Sequence, residues 1–478
     1  MAGQPQKTLF GHPVGLYVLF SSELWERFSF YGMRGLLVLY MTKALMYDKD
    51  FAYGTYGAYI GFVYATPFIG GMLADRFLGY RRAILLGGSL MFLGHIAMAV
   101  EQRWFFYGAM ALLVAGNGFF KPNISALVGK LYEREDPRRD SAFTIFYMGI
   151  NLGAGLAPLL CGAIGELYGW HWGFSLAAVG MAIGLTVFWF GGRYLGPHGY
   201  PPRPEAFRET VVSIPKTVLL GLGIAAFLPA TTFLFTQPDW VEIGVYIIGP
   251  IFLAYILFKA FTCPARDRDR LIVAIVLALF SIVFWACFEQ AGSSMTIFAD
   301  EQVNRVIFGW EIPASTLLAI NPWFIVLLGI PFSILWAYLG KRDRDPSAPF
   351  KFALGLVQLA IGFVMLVIAA EQAKHGKAPL AWLILAYFFH TTGELCTSPV
   401  GLSAMTRLAP EHLTGLMMGF WFFCAAFAGV FSGVIAKFTT GEGDVGSVFL
   451  TLVWVGLAGG ALMAMLTPLL KRLQHEGE

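Results

Sequence analysis

Residues 14–42 read VGLYVLFSSELWERFSFYGMRGLLVLYMT, an apolar run interrupted by Glu23, Glu26, Arg27 and Arg34. A helix crosses a bilayer with about 20 mainly apolar residues, so this run is long enough to span one. A charged side chain at the bilayer centre costs roughly 2.5–3.5 kcal/mol on insertion scales. Glu23, Arg27, Phe30/Tyr31 and Arg34 recur at i, i+4, i+7/8 and i+11, which places them in one stripe with Glu26 at its edge. Such a stripe faces a cavity rather than lipid. A secretory leader would not tolerate these charges in its apolar core, so the run is expected to stay in the mature chain.

The rest of the chain has the same character. Of 478 residues, 57% are hydrophobic and 13% charged, against roughly 25% charged in a soluble domain. High hydrophobicity excludes disorder. With 33 Lys and Arg against 30 Asp and Glu, a net charge of +3 offers nucleic acid no basic surface. The five cysteines are odd in number, scattered and mostly in apolar runs. They suit small buried side chains, not a disulfide framework or a metal site. No HExxH, GxSxG or clustered Cys/His set appears, so neither an enzyme nor a cofactor is expected. The class that remains is an all-α integral membrane protein.

Apolar stretches of spanning length lie at 14–42, 52–74, 82–100, 105–129, 141–165 and 172–192, then at 211–236 and 240–261. Six more follow at 269–297, 317–340, 350–370, 379–405, 413–437 and 446–470. Fourteen transmembrane helices result, as six, two and six. The prolines and charges of 193–209 mark an exposed linker. The chain divides into an N-terminal six-helix bundle (1–195), a linker with two added helices (196–268) and a C-terminal six-helix bundle (269–478). With both termini cytoplasmic, 23 Lys and Arg residues fall inside, seven outside, and three (Arg27, Arg34, Lys121) within spans. That bias obeys the positive-inside rule and sets the orientation.

Two six-helix bundles suggest a transporter built from repeats, with its cargo site near the midplane between them. GNGFFKPNIS (116–125) and GELCTSPVGLS (393–403) echo each other: each sets a polar or charged residue just before a helix-interior proline, Pro122 and Pro399. A proline there removes a backbone hydrogen bond, which a membrane tolerates where the break faces protein or a wet cavity.

Seven charges lie inside spans: Glu23, Glu26, Arg27, Arg34, Lys121, Glu289 and Glu394. Four acids against three bases is close to neutral, as mutual pairing requires. Each has two readings, a salt bridge that fixes packing or contact with cargo or proton. Cations and carboxylates on different helices suit a zwitterion. Arg27 offers a carboxylate a bidentate fork and Lys121 a second point charge, while Glu394 offers an anion to an ammonium group. Asn151 and Asn321 carry amides suited to a peptide bond. Tyr31, Tyr64, Trp285 and Trp421 would line a pocket without reading side-chain identity. Carboxylates that change basic partners change their proton affinity, which is what a symporter requires. His95 and His390 read as packed, hydrogen-bonded histidines. The GxxxG spacings Gly149/Gly153 and Gly415/Gly419 read as close helix contacts.

Several strings resemble one family. GGMLADRFLGYRR (70–82) is similar to the loop motif between the second and third helices of the major facilitator superfamily. ELWERFSFYGMR (23–34) resembles the ExxER signature of proton-dependent oligopeptide transporters. GNGFFKPNIS, FYMGIN (146–151), FWACFEQAGSS (284–294), INP (320–322) and ELCTSPVGLS resemble further signatures of that family, so the likeness covers nearly the whole chain. The resemblance implies a major facilitator fold of prokaryotic type, with two extra helices, and proton-driven import of di- and tripeptides by alternating access. It implies that Glu23, Glu26, Arg27 and Lys121 couple protons, and that Arg27 and Lys121 face the peptide carboxylate. Arg34 and Glu289 would pair across the bundles near the outer gate. Glu394 and Asn321 would face the amino end, with Asn151 on the peptide backbone and Ser398 and Trp421 nearby.

Two departures from the family pattern bear on coupling. Phe30 stands where many members carry Tyr, and TYGAYIG (55–61) lacks the helix-2 histidine of animal members, which leaves coupling to carboxylates. The short loop 371–378 has no room for the large extracellular domain of animal relatives. The expected partners are peptides, protons and membrane lipids, for a monomer in the inner (cytoplasmic) membrane. Two readings compete: a proton-coupled carrier of another small anion or zwitterion, and a passive facilitator.

Overall fold

The computed structural model describes residues 7–475 apart from 134, 135, 137, 202–208, 212, 213 and 441–444. Arg134, Arg203 and Arg208 of the orientation tally, and most of the charged half of the linker, lie outside the described residues.

Long helices carry the fold. In order they are α1 (Val14–Lys43), α2 (Lys49–Leu73), α3 (Tyr80–Met98), α4 (Arg103–Lys130), α5 (Arg139–Ala157) and α6 (Trp170–Gly191). Next come α7 (Lys216–Thr236), α8 (Pro238–Phe261), α9 (Ala265–Phe288, resumed at Ser294–Gln302) and α10 (Ile320–Gly340). The last four are α11 (Ala348–Ala373), α12 (Leu380–Leu408), α13 (Thr414–Lys437) and α14 (Val445–Leu473). Each expected span is met by one helix, with its ends moved by a few residues. α7 starts at Lys216, later than expected, because Thr210–Val211 and Ile214–Pro215 pair as a short antiparallel ladder ahead of it. α5 runs on through a π turn at Pro158–Gly162, where proline removes a helical donor and the coil widens.

Ten of these helices are long and apolar enough to cross a bilayer on composition alone. α1, α3, α4 and α12 fall short, and three of those four hold in-span charges: Glu23 to Arg34, Lys121 and Glu394.

The chain forms two compact units. The first comprises Met1–Tyr40, Phe62–Gln237 and Ser315–Ala319; the second comprises Met41–Gly61, Pro238–Ala314 and Ile320–Glu478. In the first, glycines let helices meet backbone to backbone. A Cβ added at Gly153 of α5 would lie 2.2 Å from the Leu24 carbonyl oxygen of α1, and one at Gly149 would lie 2.8 Å from the Phe20 ring. That pair is the close contact its spacing suggested. The segment after α6 differs from expectation. Rather than running as an exposed linker, residues 195–201 are docked: Leu195 is fully buried, and Arg81 donates to the Gly196 and His198 carbonyls at 2.6 and 2.7 Å.

The second unit is built on an apolar core that includes Phe352, Met405, Phe420 and Cys424. Gly57 of α2 meets Gly433 of α13, where an added Cβ would lie 2.9 Å from the facing Cα. Gly415 is no such contact: nothing lies within 4 Å of where its Cβ would stand. Spacing alone does not say which way a glycine faces. His390 packs against Gly362 and lies 4.7 Å from the Phe363 ring. In the first unit His95 is fully buried too, but neither of its ring nitrogens has the hydrogen bond expected of it among the described residues.

Candidate functional site

In the first unit the charges of α1 are withdrawn from solvent, with Glu23 and Arg27 each 1% exposed and Glu26 fully buried. Arg27 Nη2 donates to Glu26 Oε1 at 2.6 Å, and Arg27 Nε donates to Glu26 Oε2. This is a bidentate fork between chain neighbours. Asn117 Nδ2, from α4, adds a longer bond of 3.4 Å to Glu26 Oε1. The guanidinium also lies 5.1 Å from the Phe30 ring, so the aromatic at position 30 serves as a cation–π surface that needs no hydroxyl.

Glu23 is placed differently. Its Oε1 lies 3.4 Å from Arg27 Nε, but neither oxygen accepts a hydrogen bond among the described residues. Burial penalises an ionised carboxylate, and the guanidinium at 3.4 Å offsets part of that penalty without a hydrogen bond.

The remaining expected residues of this unit sit on neighbouring helices. Lys121, one turn after Asn117 on α4, is partly buried with its ammonium 5.3 Å from the Tyr64 ring. The Arg34 guanidinium lies 5.6 Å from the Tyr31 ring. Asn151 of α5 donates its amide to the Tyr147 carbonyl at 3.0 Å, within its own helix.

The second unit holds two polar groupings. Glu289 opens a 3₁₀ turn, Glu289–Gly292, that interrupts α9. The Tyr56 hydroxyl donates to its Oε2 at 3.1 Å. An added Cβ at Gly292 would lie 1.9 Å from that hydroxyl oxygen, so a larger residue there would displace the Tyr56 ring. Asn321 at the start of α10 uses Nδ2 toward Glu394 Oε2 at 2.9 Å and Thr391 Oγ1 at 3.0 Å, tying α10 to α12. Ser398, one turn beyond Glu394, is partly buried. Trp285 packs edge-on against Phe284 and Phe288. Trp421 is set in the apolar core with its ring against Gly401.

The structure thus brings together Glu23, Glu26 and Arg27 in one unit, and Asn321 and Glu394 in the other. Three residues bonded to expected ones were not themselves expected: Asn117 on Glu26, Thr391 on Asn321 and Tyr56 on Glu289. Asn117 stands four residues before Lys121 and Thr391 three before Glu394, so helical spacing from a known charge was their signal. Tyr56 lies in TYGAYIG, notable on sequence only for its missing histidine.

The family described as PTR2, POT family, matches residues 81–448. The uncharacterised transporter YclF of Bacillus subtilis (strain 168) is 37% identical over 478 residues, covering 98% of this chain and 96% of that protein. A di-/tripeptide transporter of Lactococcus lactis subsp. cremoris is 35% identical over 486 residues, covering 98% and 97%. A crystal structure of a mutant of peptide transporter POT in complex with alafosfalin gives a TM-score of 0.88 at 37% identity, over 98% of each chain. The fold is that of the major facilitator superfamily. Sequence and fold agree along almost the entire length, and the chain belongs to the POT family of transporters.

Proposed function

We propose that this chain is a proton-coupled symporter that imports di- and tripeptides by alternating access. We assign it to the inner (cytoplasmic) membrane, as a monomer with both termini in the cytoplasm, its bundles at 1–195 and 269–478 and two helices inserted at 196–268. The substrate class is supported by the Lactococcus relative and by the alafosfalin-bound peptide transporter. The observation that carries the coupling is the buried Glu23–Glu26–Arg27 group with one carboxylate left without hydrogen bonds.

Charge balance supplies the mechanism. With both glutamates ionised, Arg27 and Lys121 bring the group to neutrality. A peptide carboxylate taken up by Arg27 and Lys121 adds one negative charge, and a proton on Glu23 restores the balance. Glu23 is the acceptor because it has no hydrogen bond to lose, whereas Glu26 holds the guanidinium in place. A net buried charge is what a low-dielectric site disfavours most, so carboxylate and proton load together. The peptide ammonium suits Glu394, which Asn321 orients, and Asn151 suits the peptide backbone. Tyr31, Tyr64, Trp285, Ser398 and Trp421 are assigned to the walls around the cargo. Arg34 and Glu289 are assigned to gating, and Glu289 also to proton movement.

Uptake of a radiolabelled dipeptide into proteoliposomes, with and without an inward proton gradient, tests the reading. Accumulation that needs the gradient and acidifies the lumen is expected. Equal flux without proton movement would identify a passive facilitator. Uptake of the cargo unaffected by competing peptides would identify a carrier of another anion.

A further inference from the structure

The first unit contains a cavity of about 510 Å³, between α2, α4 and α7, that transport chemistry does not use. Its floor is the crossing of α2 on α4. A Cβ on Gly70 would lie 2.0 Å from the Gly118 carbonyl oxygen, so the backbones touch and no side chain fills the space above them. The α7 wall is an apolar stripe of Leu219, Leu220, Gly223, Ile224 and Phe227. Cations lie at one end only, Arg76 just beyond α2 and Lys216 at the start of α7. Thr66 lines the opposite end, and its hydroxyl is spent on the Phe62 and Val114 carbonyls.

The dimensions are those of a leaflet. From Lys216 to Phe227 the helix rises about 16 Å, and from Thr66 to Arg76 about 15 Å. Half of a hydrocarbon core about 30 Å thick is the same distance. The cavity therefore has cations at headgroup depth and an apolar slot reaching the midplane. It is open sideways: Ile69 is 50% exposed, and nothing lies within 4 Å of where a Cβ on Gly223 would stand. Only 11% of the most apolar window of α7 is buried, so in a membrane the opening gives on lipid.

We infer that this cavity binds an anionic glycerophospholipid, with one acyl chain in the slot and the phosphate against Arg76 and Lys216. Lys216 already bonds Glu209, which leaves the two cations a net charge of +1 to meet one phosphodiester. A headgroup carrying its own ammonium would bring a second cation beside Arg76, so the anionic lipid is preferred. The bound lipid would fasten the weakly packed α7 to α2 and α4.

Native mass spectrometry of the full chain, titrated separately with phosphatidylglycerol and phosphatidylcholine, tests the site. One phosphatidylglycerol is expected to be retained in preference to phosphatidylcholine. Arg76→Ala and Lys216→Ala should each lower retention roughly fivefold, as the loss of one basic residue at a membrane surface does. Gly223→Trp should lower it without touching a charge, because its side chain has room to enter the slot. Unfolding temperatures of the lipid-free variants separate a lost site from a lost fold. Equal retention of both lipids, full retention in Gly223→Trp, or displacement by inorganic phosphate would overturn the assignment. So would a dimer that occupies this face and excludes lipid.

Discussion

Glu23→Gln and Glu26→Gln remove the same charge from α1, and the structure separates their consequences. Glu26 engages Arg27 through both oxygens and accepts a third bond from Asn117. A glutamine at 26 keeps one acceptor and turns the other position into a donor facing the guanidinium. Arg27 is then buried with Glu23, 3.4 Å away, as its remaining carboxylate neighbour among the described residues. Breaking a buried ion pair from one side costs about 3–5 kcal/mol. A glutamine at 23 loses no hydrogen bond among the described residues. It gives up attraction to Arg27 and leaves the group one positive charge in excess, but it also sheds the desolvation cost of its own charge. The excess is carried by Lys121, which is only partly buried, so the net cost is about 1 kcal/mol. Three measurements on purified protein distinguish the variants: thermal unfolding, peptide counterflow without a gradient, and gradient-driven accumulation. Glu26→Gln should unfold at a clearly lower temperature and fail both transport assays. Glu23→Gln should melt within about 3 °C of the parent, keep counterflow and lose accumulation. A Glu23→Gln protein that still concentrates peptide, or that is destabilised as deeply as Glu26→Gln, would refute the placement of the proton on Glu23.

Arg27→Ala and Lys121→Ala should each weaken peptide binding by about 2–5 kcal/mol, as when one side of a buried charge pair is removed; calorimetry showing unchanged affinity would exclude the carboxylate clamp. Glu394→Gln and Asn321→Ala should reduce affinity for a peptide with a free amino end and spare its N-acetylated form. Equal losses for both would put the ammonium elsewhere. Gly153→Val should lower the unfolding temperature, because even its Cβ would meet the Leu24 carbonyl oxygen at 2.2 Å, and overpacking of this kind costs about 1–3 kcal/mol. The same Cβ would lie 3.1 Å from Cβ of Arg27, so peptide affinity should fall with it, and normal values of both would contradict the tight crossing. Arg81→Ala should speed limited proteolysis at 196–201, since it removes the bonds to Gly196 and His198; unchanged cleavage would mean the segment is held by other contacts.

The helices were legible because a bilayer demands a minimum length, which all fourteen stretches reach, although four of the helices fall short on apolar composition. The charges in α1, α4 and α12 were legible because each is costly in lipid and so marks itself. Their pairing was less so. Helical spacing joins Glu23 to Arg27, whereas the structure gives the fork to Glu26, next in the chain, and leaves Glu23 at 3.4 Å. An arginine stem is long enough to turn back on its neighbour, and a four-residue interval does not report that. Asn117, Thr391 and Tyr56 escaped notice because neutral polar groups inside spans carry no comparable cost. The docking of 195–201 depends on Arg81, more than a hundred residues away in sequence, and nothing local to the prolines announces it. Gly415 shows the opposite error, a motif whose spacing is right and whose face is open.

The lack of hydrogen bonds to Glu23 among the described residues also makes it visible to vibrational spectroscopy. Each hydrogen bond that a protonated carboxyl group accepts weakens its C=O bond and lowers the stretching frequency. A carboxyl with no such bond absorbs at the upper edge of the range, apart from the hydrated acids of the loops. Glu23 would therefore contribute a separate infrared band when it holds a proton and lose it on release. Difference spectra recorded as peptide binds would time the proton at one residue, with the unlabelled protein as its own probe.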